Sequence, residues 1–218
     1  MPGQLALYLG RHGETEYNRQ GRLQGRIGGT LTERGQAQAR ALGRLAAELG
    51  VGQIVSSSLS RAAHTARLVA EELGTTADMD ERLAEIDCGA CSGLTKQQIE
   101  QRFPGLLEAR RLDPWHHRWP GGESLADARE RVRPALQALL TVTDHAVLVI
   151  AHQGVNRAIV QGLTTMGVED AVRVTHPWQV VVRFDGTRLA HRWFATEPQA
   201  FASAWQPGPC RSRLPPTD

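Results

Sequence analysis

The sequence has few cysteines, and it lacks both a long apolar run and a block of like charges. Three cysteines among 218 residues are too few, and odd in number, for a disulfide scaffold, which favours a reducing, cytoplasmic setting. No apolar run reaches membrane-spanning length, and the first residues lack the basic and apolar regions of a signal peptide. We therefore expect neither a disulfide framework nor a membrane partner.

Charged residues are numerous but dispersed. The net charge is only +2 and the arginines are scattered rather than gathered in a stripe, which argues against nucleic acid as an obligatory partner. A hydrophobic content of 41% and a charged content of 22% are typical of a soluble globular protein. The length suits one ordinary domain, with room for a lid-like insertion.

Three times along the chain, an apolar segment ends in small or polar residues and leads towards a helix. These predicted strands cover residues 5–9, 52–57 and 146–151, and the third is a continuous apolar run, typical of a central strand buried on both faces. The predicted helices cover residues 33–49, 58–73, 96–103, 106–112, 125–140 and 155–162. This alternation predicts a three-layer α/β/α fold around a doubly wound, mostly parallel sheet.

The end of the domain has a different pattern. Residues 179–184 and 189–194 flank Asp185-Gly186, a pair that favours a hairpin turn. We expect them to supply one antiparallel edge strand, and this edge or the region of Trp178 could form a homodimer interface. Residues 1–197 are predicted to form the domain, with a lid-like insertion at 95–122. The Pro-, Gly- and Ser-rich tail at 198–218 is predicted to be disordered.

The end of the first strand carries the most suggestive chemistry. Arg11, His12 and Gly13 follow the apolar run, where open α/β sheets place their ligand sites. An isolated Arg-His-Gly is equally compatible with a solvated polar turn. Arg61, in the first turn of the second helix, would complete an anion pocket if it lay beside them, because a guanidinium binds phosphate through two parallel hydrogen bonds. His152 ends the third strand in the same way, as a potential proton carrier.

Residues 79–94 hold an acidic residue and two cysteines whose roles the local sequence leaves open. Glu85 precedes a glycine-spaced loop, and taken alone it is most simply a surface charge. Cys88 and Cys91 have C-x-x-C spacing, which could indicate a redox pair or half of a zinc site. No second Cys or His pair stands at zinc spacing, and the surrounding pattern is not that of thioredoxin, so we disfavour both.

The lid-like insertion ends in a segment rich in aromatic residues and histidine. His116 and His117 lie between Trp115 and Trp119 and could form a metal or ligand lip. Two adjacent histidines cannot chelate a metal from one helix face, so we favour a lid or surface loop. A lid here would be the natural place to set substrate choice.

Taken together and in order, these motifs are highly specific. They are Arg-His-Gly, Ser-x-Leu-x-Arg-Ala-x-x-Thr-Ala, a Glu before a Gly-x-x-x-Gly loop, Gly-Gly-Glu-Ser-Leu, and Ala-His. The chain resembles the histidine phosphatase superfamily over about residues 5–194, and most closely its bacterial broad-specificity and α-ribazole phosphatase branch. The resemblance implies the phosphoglycerate mutase-like fold.

The resemblance also implies a role for each matching residue. His12 would be the nucleophile that carries the phosphoryl group during the reaction. Arg11, Arg61 and His152 would bind the phosphoryl oxygens. Glu85 would donate a proton to the leaving group and then act as the base for the attacking water.

Two further positions match the family pattern, and three others depart from it. Asn18 and Gln24 match residues that line the phosphate pocket. Gln153 replaces a small residue, and its side chain would reach into the pocket and narrow the substrate range. Gly28 replaces an acidic residue, and Cys91-Ser92 stands for an aromatic-acidic pair, which makes that wall smaller and less charged. None of these changes removes a catalytic group.

The chemistry of the residues agrees with this reading. Flanking arginines disfavour a further positive charge and keep His12 neutral and nucleophilic, while the anionic substrate favours the protonated form of Glu85. The arginines supply the positive charge, so we expect no metal and no cofactor. We predict a phosphomonoesterase acting on a small phosphorylated metabolite. The alternatives are cofactor-dependent phosphoglycerate mutase-type phosphoryl transfer and a non-catalytic regulator that binds phospho-ligands.

Overall fold

The computed structural model describes residues 6–141, 144–185, 188–196 and 204–211. Within these ranges one sheet has the strand order β3-β2-β4-β1-β5-β6-β7. The strands are β1 (Leu7–Arg11), β2 (Val51–Ser57), β3 (Ala77–Asp80), β4 (Ala146–Ala151), β5 (Val180–Asp185), β6 (Arg188–Trp193) and β7 (Gln206–Pro207). The helices are α1 (Glu16–Arg19), α2 (Glu33–Glu48), α3 (Ser60–Leu73), α4 (Lys96–Arg102), α5 (Leu106–Leu112), α6 (Leu125–Leu139), α7 (Gln153–Leu163) and α8 (Val168–Ala171).

The sheet is parallel over its first four strands and antiparallel beyond β1. Strand β4 lies between β1 and β2 and is parallel to both, and β3 is parallel to β2. Beyond β1, each of β5, β6 and β7 is antiparallel to its neighbour. The α/β prediction is confirmed, but the expectation of one antiparallel edge strand is wrong, because three strands continue the sheet on that side.

Side-chain alternation along the central strands builds two separate cores. Leu9 and Val149 face the core that contains the apolar residues of α6 and α7. Leu148 and Ile150 face the other core, which contains those of α2 and α3. Because successive side chains of a strand point to opposite faces, the continuous apolar run of β4 requires helices on both sides. The result is the predicted three-layer arrangement.

The predicted helices are found close to their expected bounds because their caps are present. The Thr32 hydroxyl accepts from the Gly35 N–H at the start of α2. Gly74 ends α3 with a φ of 64°, a conformation that favours glycine. Ser124 and Asp127 form a capping box at α6, which continues through Pro134. No sequence pattern predicted β3, because it is a short edge strand without buried residues.

The described part of the tail does not follow the prediction of disorder. Strand β7 pairs with β6, the Trp205 ring stacks on Tyr8 with 6.1 Å between centroids, and Cys210 is fully buried. These apolar anchors offset the entropy of ordering the segment. The remainder of the predicted tail and the predicted turn residue Gly186 lie outside the described residues, and the domain boundaries stay a prediction.

The lid-like insertion contains α4 and α5, separated by Pro104. Its role as a lid stays a prediction. Among the residues that the structure describes, no helix is both long and apolar enough to cross a membrane.

Candidate active site

The candidate active site lies where the parallel strands end at one edge of the sheet. His12 follows β1 directly, His152 follows β4, and Ser57 is the last residue of β2. Arg61 is the second residue of α3, which leaves the end of β2. Because these strands are neighbours in the sheet, their carboxyl ends converge on one cavity of about 290 Å³. The fold therefore brings together residues from three distant parts of the sequence.

His12 is held in one orientation and one tautomer. Its Nδ1 lies 2.7 Å from the Gly13 carbonyl oxygen, which can only accept, so Nδ1 carries the proton and Nε2 has the free electron pair. Burial and the nearby Arg61 and Arg11 hold the pKa of His12 well below its usual value. A Cβ on Gly13 would lie 2.2 Å from the Gly35 carbonyl oxygen, so this close approach requires glycine. The imidazole is therefore neutral and nucleophilic.

Arg61 is a buried side chain whose guanidinium is fixed on all sides. It donates to the backbone oxygens of Gly25 at 2.6 Å and Ile27 at 3.1 Å. Its Nε lies 3.3 Å from His12 Nε2 and 3.1 Å from His152 Nδ1. Burial lowers the pKa of Arg61 to about 10, so the guanidinium stays charged at neutral pH. It places a positive charge beside both imidazoles.

His152 is the second buried imidazole of the site. Its Nδ1 accepts from Arg61, so the proton lies on Nε2, which donates to the Ser57 hydroxyl at 2.8 Å. Its ring centroid lies 5.0 Å from that of His12. Burial and Arg61 hold the pKa of His152 well below its usual value. The Arg61 guanidinium, which can only donate, therefore fixes the tautomer of this histidine, and the hydroxyl of Ser57 in the Ser-x-Leu-x-Arg motif accepts its proton.

Arg11 forms the other cationic wall of the cavity. Its Cζ atom lies 4.7 Å from the centroid of the Trp178 ring, and its Nη1 donates to the His176 carbonyl oxygen at 3.2 Å. Its Nε has no hydrogen-bond acceptor among the described residues. Burial lowers the pKa of Arg11 to about 10, so this guanidinium is also charged at neutral pH.

Glu85 lines the same cavity, and its carboxylate is held at the start of α7. Oε1 accepts from the N–H groups of Ile86 at 2.9 Å and Val155 at 2.8 Å, and Oε2 accepts from the N–H of Gly154 at 3.0 Å. Gly154 and Val155 stand in the first turn of α7, where N–H groups that lack a partner within the helix suit an anion. Together with His12, Arg11, Arg61 and His152, all five residues predicted as catalytic line or adjoin one cavity.

Three further predicted residues also line the cavity, but two of them use their polar atoms inside the protein. The Asn18 oxygen is engaged by Thr15, which leaves its amide N–H groups as donors for a ligand. The Gln24 amide bonds within its own loop and to Thr15. Gln153 accepts from the backbone N–H of His176 at 2.9 Å, so its amide is held by the segment before β5.

The cavity contains arginines that the sequence did not single out. Arg110 of α5 and Arg157 of α7 line it. The Arg110 guanidinium stacks on Trp119, 3.8 Å from the ring centroid, and donates to the His117 carbonyl oxygen. Among the described residues that line the cavity are five arginines and one carboxylate, that of Glu85. The arginine-rich insertion was the signal that could have indicated this excess of positive charge.

The remaining candidates have simpler roles. Cys88 lines the cavity, but burial raises the pKa of its thiol, so it is a poor nucleophile and metal ligand. The exposed His116 ring lies 3.2 Å from Asp113 and does not line the cavity. In the described ranges, no group of three His, Cys, Asp or Glu side chains could hold a metal ion.

Glu123 of the Gly-Gly-Glu-Ser-Leu motif supports the backbone around Glu85. Its carboxylate pairs with Arg131 at 2.9 Å and with Arg26 at 2.7 Å and accepts from the Asp87 N–H at 3.1 Å. Both arginines also donate to the Glu85 carbonyl oxygen. This network holds the motif next to Glu85 in space, although the two are far apart in the sequence.

The chain is similar in sequence to a known protein family and to curated proteins. A family model described as the histidine phosphatase superfamily (branch 1) matches residues 7–194. A 6-phosphofructo-2-kinase/fructose-2,6-bisphosphatase of Caenorhabditis elegans is 38% identical over 156 residues, which cover 71% of this chain and 33% of that protein. A probable phosphoglycerate mutase of Salmonella paratyphi B is 34% identical over 154 residues, covering 69% of this chain and 70% of that one.

Solved structures with phosphatase names share the whole fold. A mycobacterial glucosyl-3-phosphoglycerate phosphatase has a TM-score of 0.74 at 28% identity, covering 94% of this chain and 98% of its own. A putative α-ribazole-5′-P phosphatase from Escherichia coli has a TM-score of 0.73 at 26% identity, covering 99% and 100%. The chain spans only about a third to two fifths of the length of the curated relatives that carry a fructose-2,6-bisphosphatase name.

Proposed function

Since the chain belongs to the histidine phosphatase superfamily, branch 1, we propose that it hydrolyses phosphomonoesters of small metabolites through a phosphohistidine on His12. The observation that carries the proposal is the arrangement of His12. Its Nε2 is unprotonated and lies 3.3 Å from the Arg61 guanidinium, at a cavity that Glu85 also lines. A nucleophile, an anion clamp and a proton donor thus share one site, as transfer of a phosphoryl group requires.

In the first step, Nε2 of His12 attacks the phosphorus atom and the bond from phosphorus to the ester oxygen breaks. The departing oxygen takes the proton of the Glu85 carboxyl group and leaves as an alcohol. The hydrogen bond from Nδ1 to the Gly13 carbonyl stabilises the positive charge that develops on the ring. The phosphoryl group is then bound to His12, and Glu85 is a carboxylate.

In the second step, a water molecule replaces the alcohol. The Glu85 carboxylate takes a proton from this water while its oxygen attacks phosphorus, and the bond between phosphorus and Nε2 breaks. Phosphate leaves, and His12 is neutral and Glu85 protonated again. One ester and one water are converted into one alcohol and one phosphate.

Arginines supply the positive charge throughout this cycle. Arg11 and Arg61 carry charged guanidinium groups beside His12, and the ionised substrate oxygens gain charge-assisted hydrogen bonds from them. His152 would bind a phosphoryl oxygen only by turning from its present partners, or stabilise charge through Arg61. We propose that no metal takes part. We also propose a cytoplasmic location, which three free cysteines support, whereas a homodimer stays a prediction.

The charge of the cavity indicates what kind of ester it accepts. Arg110 adds positive charge to a wall in which, among the described residues, Glu85 is the single carboxylate. A second anionic group on the alcohol part of the substrate would neutralise this excess. Relatives named for fructose 2,6-bisphosphate and for glucosyl-3-phosphoglycerate take substrates with two anionic groups, which supports the same class here.

Two measurements test the proposal. A panel of phosphorylated metabolites is scored by phosphate release, and the enzyme is quenched during turnover to look for an acid-labile phosphoryl group. His12→Ala should abolish both signals, because it removes the nucleophile. His64→Ala, a change on the outer part of α3, is the matched control and should keep both. Near-normal turnover by His12→Ala would contradict the mechanism.

Phosphoryl transfer between sugar phosphates is the second candidate. The observation in its favour is the 34% identity with a probable phosphoglycerate mutase. A mutase must keep water away from its phosphohistidine, and the modest insertion at 95–122 favours hydrolysis instead. Isomerisation of 3-phosphoglycerate faster than phosphate release would favour the mutase, and binding of phosphate esters without any phosphohistidine would favour a non-catalytic regulator.

A further inference from the structure

A second cavity lies next to the candidate active site and shares part of its wall. It has a volume of about 280 Å³ and is bordered by residues that connect α8 to β5. Its lining residues are Arg11, Gln153, Arg157, Thr175, Pro177 and Trp178. Arg11 therefore forms part of the wall of both cavities, with the connecting segment on one side of its guanidinium.

The connecting segment touches the Arg11 guanidinium at two points. The Trp178 ring lies against it, 4.7 Å from Cζ, and the His176 carbonyl accepts from Nη1 at 3.2 Å. One contact sets the plane of the guanidinium and the other sets its rotation within that plane. The buried Nε–H has no acceptor among the described residues, so these two contacts fix the guanidinium on the side of the connecting segment.

Gln153 connects this segment to the start of α7. Its Oε1 accepts from the His176 N–H at 2.9 Å, and its Nε2 donates to the Val174 carbonyl at 3.3 Å. Gln153 directly follows His152 in the sequence. Its side chain therefore transmits the position of the α7 start to the backbone that holds Arg11.

The ring of His176 anchors the connecting segment through hydrogen bonds to Val180 and Asn156. It is fully buried, and burial lowers its pKa to about 3, so it is neutral. Its Nε2 donates to the Val180 carbonyl at 2.9 Å, and its Nδ1 accepts from Asn156 at 3.0 Å. Asn156 also donates to the Gly10 carbonyl at 3.2 Å, next to Arg11. Hydrogen bonds thus connect His176 to the start of β5 and, through Asn156, to the backbone next to Arg11.

We propose that Trp178 and Gln153 are positioning residues that hold the Arg11 guanidinium ready for the phosphoryl group. The proposal rests on the proposed function of the site. A guanidinium that is already oriented loses less conformational freedom when the anion binds than a mobile one. Gln153 thereby acts through the segment at 174–178 rather than as a group that binds substrate.

Binding of inorganic phosphate tests the proposal without turnover. Calorimetry on the full chain should give phosphate binding by Trp178→Leu that is roughly 3- to 30-fold weaker, the range expected for loss of a cation–π contact. Trp178→Phe should stay within about 2-fold, since it keeps an aromatic face. Trp205→Leu is the matched control, because it removes a similar contact with Arg183 at 4.9 Å away from the site. It should bind phosphate normally.

Gln153→Met is a nearly isosteric substitution and gives a second test that leaves the Trp178 ring unchanged. It removes both hydrogen bonds to the segment and should weaken phosphate binding, whereas Gln161→Met on the same helix should not. In both Trp178→Leu and Gln153→Met, kcat/KM should fall by at least the factor lost in phosphate affinity. Wild-type phosphate affinity in these two variants would overturn the proposal.

Failure of the proposed function would look different. A wild-type protein that binds phosphate but forms no phosphohistidine would contradict hydrolysis through His12. The comparison of phosphate affinities would still decide whether Trp178 and Gln153 position Arg11.

Discussion

Gly154 offers a way to move the proposed proton donor without changing its chemistry. It is the second residue of α7 and its N–H binds the Glu85 carboxylate at 3.0 Å. A Cβ at this position would lie 2.6 Å from Glu85 Oε1 and 2.7 Å from Ile86 Cδ1. Ordinary contacts of this kind are about 3.4 Å or longer. Gly154→Ala must therefore displace the carboxylate by several tenths of an ångström.

The displacement should reduce activity more than stability. Misplacing a reacting group by about 1 Å costs about 100-fold in rate, so we expect kcat/KM to fall roughly 10- to 100-fold. Alanine is a better helix former than glycine by about 1 kcal/mol, which offsets part of the local strain. The affinity for inorganic phosphate should change little, because Arg11 and Arg61 are not touched.

The assay compares two esters that differ in their need for a proton donor. An alkyl phosphate has a poor leaving group, whereas p-nitrophenyl phosphate has a good one, so Gly154→Ala should impair the first far more. Gly167→Ala is the matched control, since nothing lies within 4 Å of a Cβ there. Equal losses on both esters, or no loss at all, would refute the assignment of Glu85 as the acid.

Three further predictions address the proton donor, the buried imidazoles and the source of positive charge. Glu85→Gln should impair turnover of alkyl phosphates by a much larger factor than turnover of p-nitrophenyl phosphate, and steady-state kinetics on both esters would contradict the role if the factors were equal. His12, His152 and His176 are buried with a lowered pKa, so the unfolded chain binds protons that the folded chain does not. The free energy of unfolding should therefore fall as the pH drops below about 6.5, by up to ~1.4 kcal/mol per pH unit for each histidine, and urea unfolding at pH 7.5 and 5.5 that gave equal stabilities would contradict this. Dialysis against EDTA should leave phosphatase activity unchanged, and a loss that a divalent cation restores would show that the arginines do not suffice.

Local patterns in the sequence were sufficient for most of the fold. The apolar run of β4, the Thr32 and Ser124 caps and Gly74 each act within one turn or strand, so their effect can be read without knowing the partner elements. The sequence did not predict strand β3 or the ordered segment at 204–211, because neither has a sufficient local pattern. β3 has no buried residue, and residues 204–211 are held by long-range contacts such as that between Trp205 and Tyr8.

Prediction of the candidate site divides in the same way. Residues at strand ends, such as His12 and His152, could be identified because the parallel topology sends those ends to one edge of the sheet. The position of Gln153 could be identified but its contacts could not. Its amide is held by residues 174–176, and no pattern in the sequence predicts that partner.

By itself, the sequence determined which chemical groups this protein has and at which ends of its strands they stand, because periodicity and caps are local properties. Only the tertiary structure decided how those groups are oriented. The proton of His152 is placed by Arg61, and the plane of the Arg11 guanidinium is set by Trp178. Hydrogen-bond direction and ring stacking depend on distances of a few ångströms between segments far apart in the chain, and only packing sets such distances.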